Sequence, residues 1–77
     1  MDNSKARARR YSDLIYKTKT LRKDNLVTQN EMSERLGIAQ CKISAYENGK
    51  IAPKLDLYLQ YLDELGYTID IKPKEGA

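Results

Sequence analysis

Between Ala39 and Ala45 the sequence reads Ala-Gln-Cys-Lys-Ile-Ser-Ala, gathering a carboxamide, a thiol, an ammonium group and a hydroxyl within two helical turns. Very little bulk separates them. A carboxamide holds a donor and an acceptor side by side in one plane, so Gln40 can meet a flat partner with two parallel hydrogen bonds. None of these groups is set up to make or break bonds. The 77-residue chain has no histidine and a single cysteine, Cys41, which excludes a thiol–imidazole pair, a zinc site and an internal disulfide. It also lacks a glycine-rich phosphate loop and any nucleophile spaced from a base. We therefore expect no catalysis, no metal and no cofactor, and read Cys41 as a small half-buried side chain in preference to a redox switch.

Charge is distributed unevenly. Residues 1–10 carry four bases against one acid, residues 11–50 seven against five, and residues 51–77 three against five, so the net charge of +3 sits toward the front. That asymmetry suits a polyanion held by the first two thirds of the chain, or an ordinary solvated surface, while the last third meets something else. No apolar run approaches the roughly 20 residues that span a bilayer. The basic start lacks the apolar core of a signal peptide. The sequence thus predicts a cytoplasmic protein with no membrane partner. A chain of this length sits near the size at which one core is only marginally adequate, which favours a homodimer.

These side chains need elements to hold them. Residues 1–10 lack apolar periodicity and read as a basic arm, flexible or partly a helical extension; Lys5, Arg7, Arg9 and Arg10 would enter a minor groove, follow phosphates or contribute nothing. The main domain spans 11–66. Ser12 is the expected cap of a first helix carrying Leu14, Ile15, Thr18 and Leu21 at helical spacing, with Arg22 and Lys23 near its end. Asn25 is the residue expected to take the left-handed stop. Thr28 and Glu31 form a T-x-x-E capping box for a second helix, with Met32 and Leu36 as its buried stripe and Gly37 as its end. A third helix follows at once, gripped by Ile38, Ile43 and Tyr46. After the Asn48-Gly49 turn, Pro53 is expected in the first turn of a fourth helix with two stripes, Leu55, Leu59 and Leu62 on one and Tyr58, Tyr61 and Leu65 on the other. Residues 67–77 are read as a strand and tail: Tyr67, Ile69 and Ile71 alternate with Thr68, Asp70 and Lys72, so the period changes from 3.6 to 2.

Two helices around a tight glycine turn are the signature of a helix-turn-helix, here at about 28–47, whose second helix enters the DNA major groove. A groove about 12 Å wide admits one helix if its outer face is uncrowded and matches base edges. Ala39, Gln40, Cys41, Ser44 and Ala45 meet that requirement, and small Ser33 lets the two helices cross closely.

From Leu21 to Gly66, through Thr28-Gln29, Glu31, Ser33, Gly37, Ile43 and above all Tyr46-Glu47-Asn48-Gly49-Lys50, the chain resembles the Xre family, the phage Cro- and repressor-type helix-turn-helix domains. The resemblance implies an all-α, lambda-repressor-like bundle of about five helices. It implies that Gln29 grips a phosphate, that Gln40, Cys41 and Ala45 lie along base edges, and that Asn48 and Lys50 contact the backbone, with Thr28, Ala39, Lys42 and Ser44 completing the surface. It further implies a structural ion pair between Arg22 and Glu47. Cys41 and Ala45 have no strong hydrogen-bonding group, so readout would rest on Gln40 pairing with adenine and on Ala39 or Ala45 touching a thymine methyl. The implied partner is double-stranded DNA, and the implied activity that of a transcriptional repressor.

A lone strand leaves its backbone groups unpaired, so Tyr67–Lys72 is expected to pair with its copy across a two-fold axis. Tyr58, Tyr61, Leu65, Tyr67, Ile69 and Ile71 would form that dimer interface. The ending Leu-Gly-Tyr-Thr-Ile-Asp-Ile also resembles the dimer strand of Hip- and Hig-type antitoxins, which implies a toxin protein as an alternative partner.

Overall fold

A computed structural model describes residues 3–75 of the chain. Four helices follow in order: α1 (Ser4–Asp24), α2 (Gln29–Leu36), α3 (Gln40–Glu47) and α4 (Leu55–Leu65). The bundle is all-α, as expected, but it has four helices among the described residues where about five were expected. Residues 67–74 run without helix or strand instead. Their β-branched residues and period-two alternation resist a helix, and Pro73 closes it off. Among the described residues the expected strand is not formed, and none of them supplies a second strand to donate or accept its ladder bonds.

The first helix starts earlier than Ser12. It runs 21 residues from Ser4, so residues 4–10 of the expected arm form the helical extension weighed for them, and Met1 and Asp2 lie outside the described residues. Lysine, alanine and arginine at 5–10 are good helix formers with no breaker among them, so nothing halts the helix short of Asn3. Pro53, in turn, stands before α4, whose N-cap is Lys54; with φ already fixed, the proline sets the approach of the chain and not the first turn.

Each helix ends in the same way. An amide two or three positions past the helix reaches back to a carbonyl five residues earlier: Val27 to Arg22, Ile38 to Ser33, Lys50 to Ala45 and Tyr67 to Leu62. This closure requires one residue with positive φ. Gly37, Gly49 and Gly66 supply it at three ends, but after α1 it falls to Leu26, at φ 58, while Asn25 stays at φ −89. The expected left-handed Asn25 is thus displaced by one residue. Asn25 instead caps with its side chain, its Nδ2 donating to the Leu21 carbonyl at 2.7 Å.

The core is built from Val27, Met32, Ile43, Tyr61 and Leu65, with Leu21, Leu36 and Ile38 packed around it. Met32 and Ile43 are fully buried. α3 lies against α1 and α2, and α4 also packs on both. Of the two stripes on α4, the one with Tyr58, Tyr61 and Leu65 turns inward together with Leu62, and Leu55 is left outside. Tyr58, Tyr61 and Leu65, expected at a dimer interface, are core residues already within the single chain: each is at most 8% exposed.

Candidate nucleic-acid interface

The two helices of the expected motif are positioned by local rules and then locked by one buried network. At the start of α2 the capping box is complete: the Glu31 amide donates to Thr28 Oγ1 at 3.0 Å and the Thr28 amide to Glu31 Oε1 at 3.2 Å. At its end Gly37, at φ 68, turns the chain by adopting a conformation that costs other residues about 1–2 kcal/mol. Ser33 is buried where the helices cross, and its hydroxyl donates to the Asn30 carbonyl. A bulkier side chain there would separate α2 from α3.

Glu47, in the last turn of α3, is the lock. Its Oε2 accepts from Arg22 Nε at 2.6 Å and from the Tyr61 hydroxyl at 2.5 Å, and its Oε1 from Arg22 Nη2 at 2.8 Å and Gln29 Nε2 at 3.1 Å. A carboxylate has about four lone-pair sites, and all are engaged. Arg22 spends its remaining arm on the Val27 carbonyl at 2.7 Å, tying the α1–α2 turn to the same group. Donors thus come from α1, α2 and α4 onto a residue of α3. Among the described residues no buried side-chain polar atom lacks a partner.

The electrostatics follow from this geometry. Burial pushes the Glu47 carboxyl toward the protonated form, but the hydrogen bonds from Arg22, Tyr61 and Gln29, with the charge of Arg22, outweigh it and hold Glu47 below the usual carboxylate value. The hydrogen bond to Glu47 holds the Arg22 guanidinium above its usual value. The Tyr61 phenol is pushed up, first by burial and then by its bond to Glu47 and the charge of that carboxylate.

On the outer side, Ala39, Gln40, Lys42, Asn48 and Lys50 are exposed, as is Cys41, which was expected half-buried, and Ser44 and Ala45 are half-buried. Cys41, Ser44, Ala45 and Asn48 share one face of α3 by their spacing, opposite Ile43 and Glu47. Gln40 is the first residue of α3, so no preceding turn covers it. Asn48 Nδ2 donates to the Ser44 hydroxyl at 3.3 Å, which joins two outward groups into one polar unit. Thr28 is exposed but engaged as a cap, and half-buried Gln29 directs one amide N–H at Glu47. The expected residues, from the α2 start to the loop after α3, are thus all exposed or half-buried. Tyr67, Ile69 and Ile71 are exposed elsewhere, on the extended segment.

Sequence reasoning missed two participants. Tyr61 is expected on a dimer face, yet a carboxylate has about four lone-pair sites and an arginine fork fills two of them, a shortage that points to a nearby hydroxyl. Thr18 and Tyr58 form the second: the Thr18 hydroxyl donates to the Leu14 carbonyl at 2.8 Å and meets the Tyr58 hydroxyl at 2.8 Å. Since Thr18 has one proton to give, Tyr58 is the donor between them. Their positions, 40 residues apart, carry no local signal.

Among the described residues no helix is long and apolar enough to cross a membrane. In comparisons with known proteins, a helix-turn-helix family model matches residues 19–72, which spans α2, α3 and α4 and the end of α1. No curated protein and no solved structure matches the chain. The extent of that family match, together with the capped α2, the left-handed turn at Gly37 and the uncrowded α3, establishes that this chain belongs to the Xre-like, Cro- and repressor-type helix-turn-helix family of DNA-binding regulators.

Proposed function

We propose that the chain is a sequence-specific transcriptional repressor that binds a palindromic operator as a homodimer. The observation that carries this reading is the outer surface of α3, exposed from Ala39 through Lys42 and half-open at Ser44 and Ala45, on a helix whose inner side is fixed by Ile43 and Glu47. Gln40 reads an adenine through its carboxamide, Ala39 or Ala45 touches a thymine methyl, and Gln29, Asn48 and Lys50 hold phosphates.

The exposed apolar residues support the two-fold arrangement. Tyr11, Leu14, Leu55 and Ile69 line a groove of about 220 Å³ beside the extended segment, and Ile71 is 97% exposed. A second copy of residues 67–72 paired antiparallel would cover these side chains and satisfy both backbones. Two α3 helices related in this way fit half-sites about 34 Å apart, one turn of DNA.

Selection from random duplexes followed by gel-shift titration tests the reading. It should return a palindrome, and Gln40→Ala should relax preference at one base position per half-site by about 1–3 kcal/mol. Equal weak binding to every sequence would defeat it. Light scattering on a chain ending at Gly66 tests the pairing, which fails if that chain remains dimeric. The same exposed segment suits the alternative of an antitoxin, with a toxin protein in place of the second copy; co-purification of a toxin with the intact chain but not with the shortened one would favour that partner.

A further inference from the structure

The family match starts at residue 19, so it leaves most of α1 unexplained. Lys5, Arg9, Ser12, Tyr16, Lys19 and Lys23 recur in alternating steps of four and three, which places them on one face of this helix. Four of the six are cations, and none forms an ion pair with another described residue. The two acids of α1, Asp13 and Asp24, fall on a different face. Tyr16 is 72% exposed, so its ring and hydroxyl face solvent.

This face is continuous with the nucleic-acid surface. Ser12, Tyr16 and Lys19 share a groove with Asn48 and Gly49, at the end of α3. From Lys5 to Lys23 the stripe runs about 27 Å at 1.5 Å per residue. It is carried by a continuous helix, so the cations are held in line without the ordering cost of a flexible arm.

We propose that this face of α1 is a second contact surface for the sugar-phosphate backbone of the same duplex, extending the footprint past the phosphates held by Asn48 and Lys50. The inference rests on DNA binding through α3 but adds a separate element to it. Lysine and arginine supply the charge, and the Ser12 and Tyr16 hydroxyls donate to phosphate oxygens. Because phosphates carry no sequence, this surface adds affinity equally at every site.

The test is a salt titration of the full-length chain on its selected operator and on an unrelated duplex, comparing wild type, K5A/R9A and R10A/K17A. The last pair removes the same charge from another face of α1. Losing two phosphate contacts per chain, four per bound dimer, should flatten the dependence of log K on log salt by about 3.6 and weaken binding to both duplexes by roughly three to four orders of magnitude at about 0.1 M salt. R10A/K17A should stay near wild type, and all three should melt alike because the replaced side chains are exposed. An unchanged slope in K5A/R9A, or an equal loss in R10A/K17A, overturns the proposal. Q40A, run alongside, separates the two readings: if it loses base preference while K5A/R9A matches wild type, only the α1 surface fails, and if the wild type binds neither duplex, both readings fail.

Discussion

Leu26 carries a burden that glycine bears at the other three helix ends. At φ 58 and 87% exposed, its side chain contributes little packing to offset a strained backbone. Leu26→Gly relieves about 1–2 kcal/mol of steric cost and loses about 0.5–1 to the freer unfolded chain, for a net gain of about 0.5–1 kcal/mol in a urea melt. Tyr61→Phe has the opposite sign. It leaves one lone pair of Glu47 buried without a donor and should cost about 1–3 kcal/mol by the same measurement. These two residues also mark where single-residue reading stops. A left-handed stop after α1 was legible from the chain turning there, but Asn25 and Leu26 compete for it. The side-chain bond from Asn25 to the Leu21 carbonyl holds Asn25 in a right-handed conformation and passes the strain onward. No propensity scale contains that competition.

At the scale of elements, α2 was the most legible, since Thr28, Glu31 and Gly37 mark both its ends by local chemistry alone. The start of α1 was not, because Ser12 is a good cap that goes unused when nothing before it breaks the helix. The facing of α4 was ambiguous for a different reason: five leucines and two tyrosines over Leu55–Leu65 leave apolar residues on more than one side. Thr18 and Glu47 give the two tyrosine hydroxyls partners when that side is buried. The outward face of α3 could be anticipated from its small residues, whereas the donors that fix its inner face come from elements far away in sequence. Ile43 is the one fully buried apolar residue of α3. Truncating it to alanine removes the hydrophobic anchor of α3 and should cost about 2–5 kcal/mol, enough to leave a small domain largely unfolded in a thermal melt.

For the whole molecule, ionisation sets the working range. Glu47 has a lower pKa folded than its ordinary 4.5, so its stabilising contribution is complete above that value and declines as the pH falls toward the folded pKa. The phenol of Tyr61 is raised above its ordinary 10.0, so its contribution is complete below that value and is lost as the pH climbs past it. Melting temperature measured against pH should form a plateau that drops on the acid side below about 4.5 and on the alkaline side above about 10.0. A flat profile through the acid limb would show that the carboxylate is not held as described. The four bonds converging on Glu47 have one more consequence, for motion. Fraying of the last turn of α3 would strand an anion away from water and release three neighbouring helices at once, so that turn has no cheap way to loosen by itself. Amide protons around Ser44 to Asn48 should exchange with deuterium only when the entire chain opens, and α3 would meet any partner already stiff.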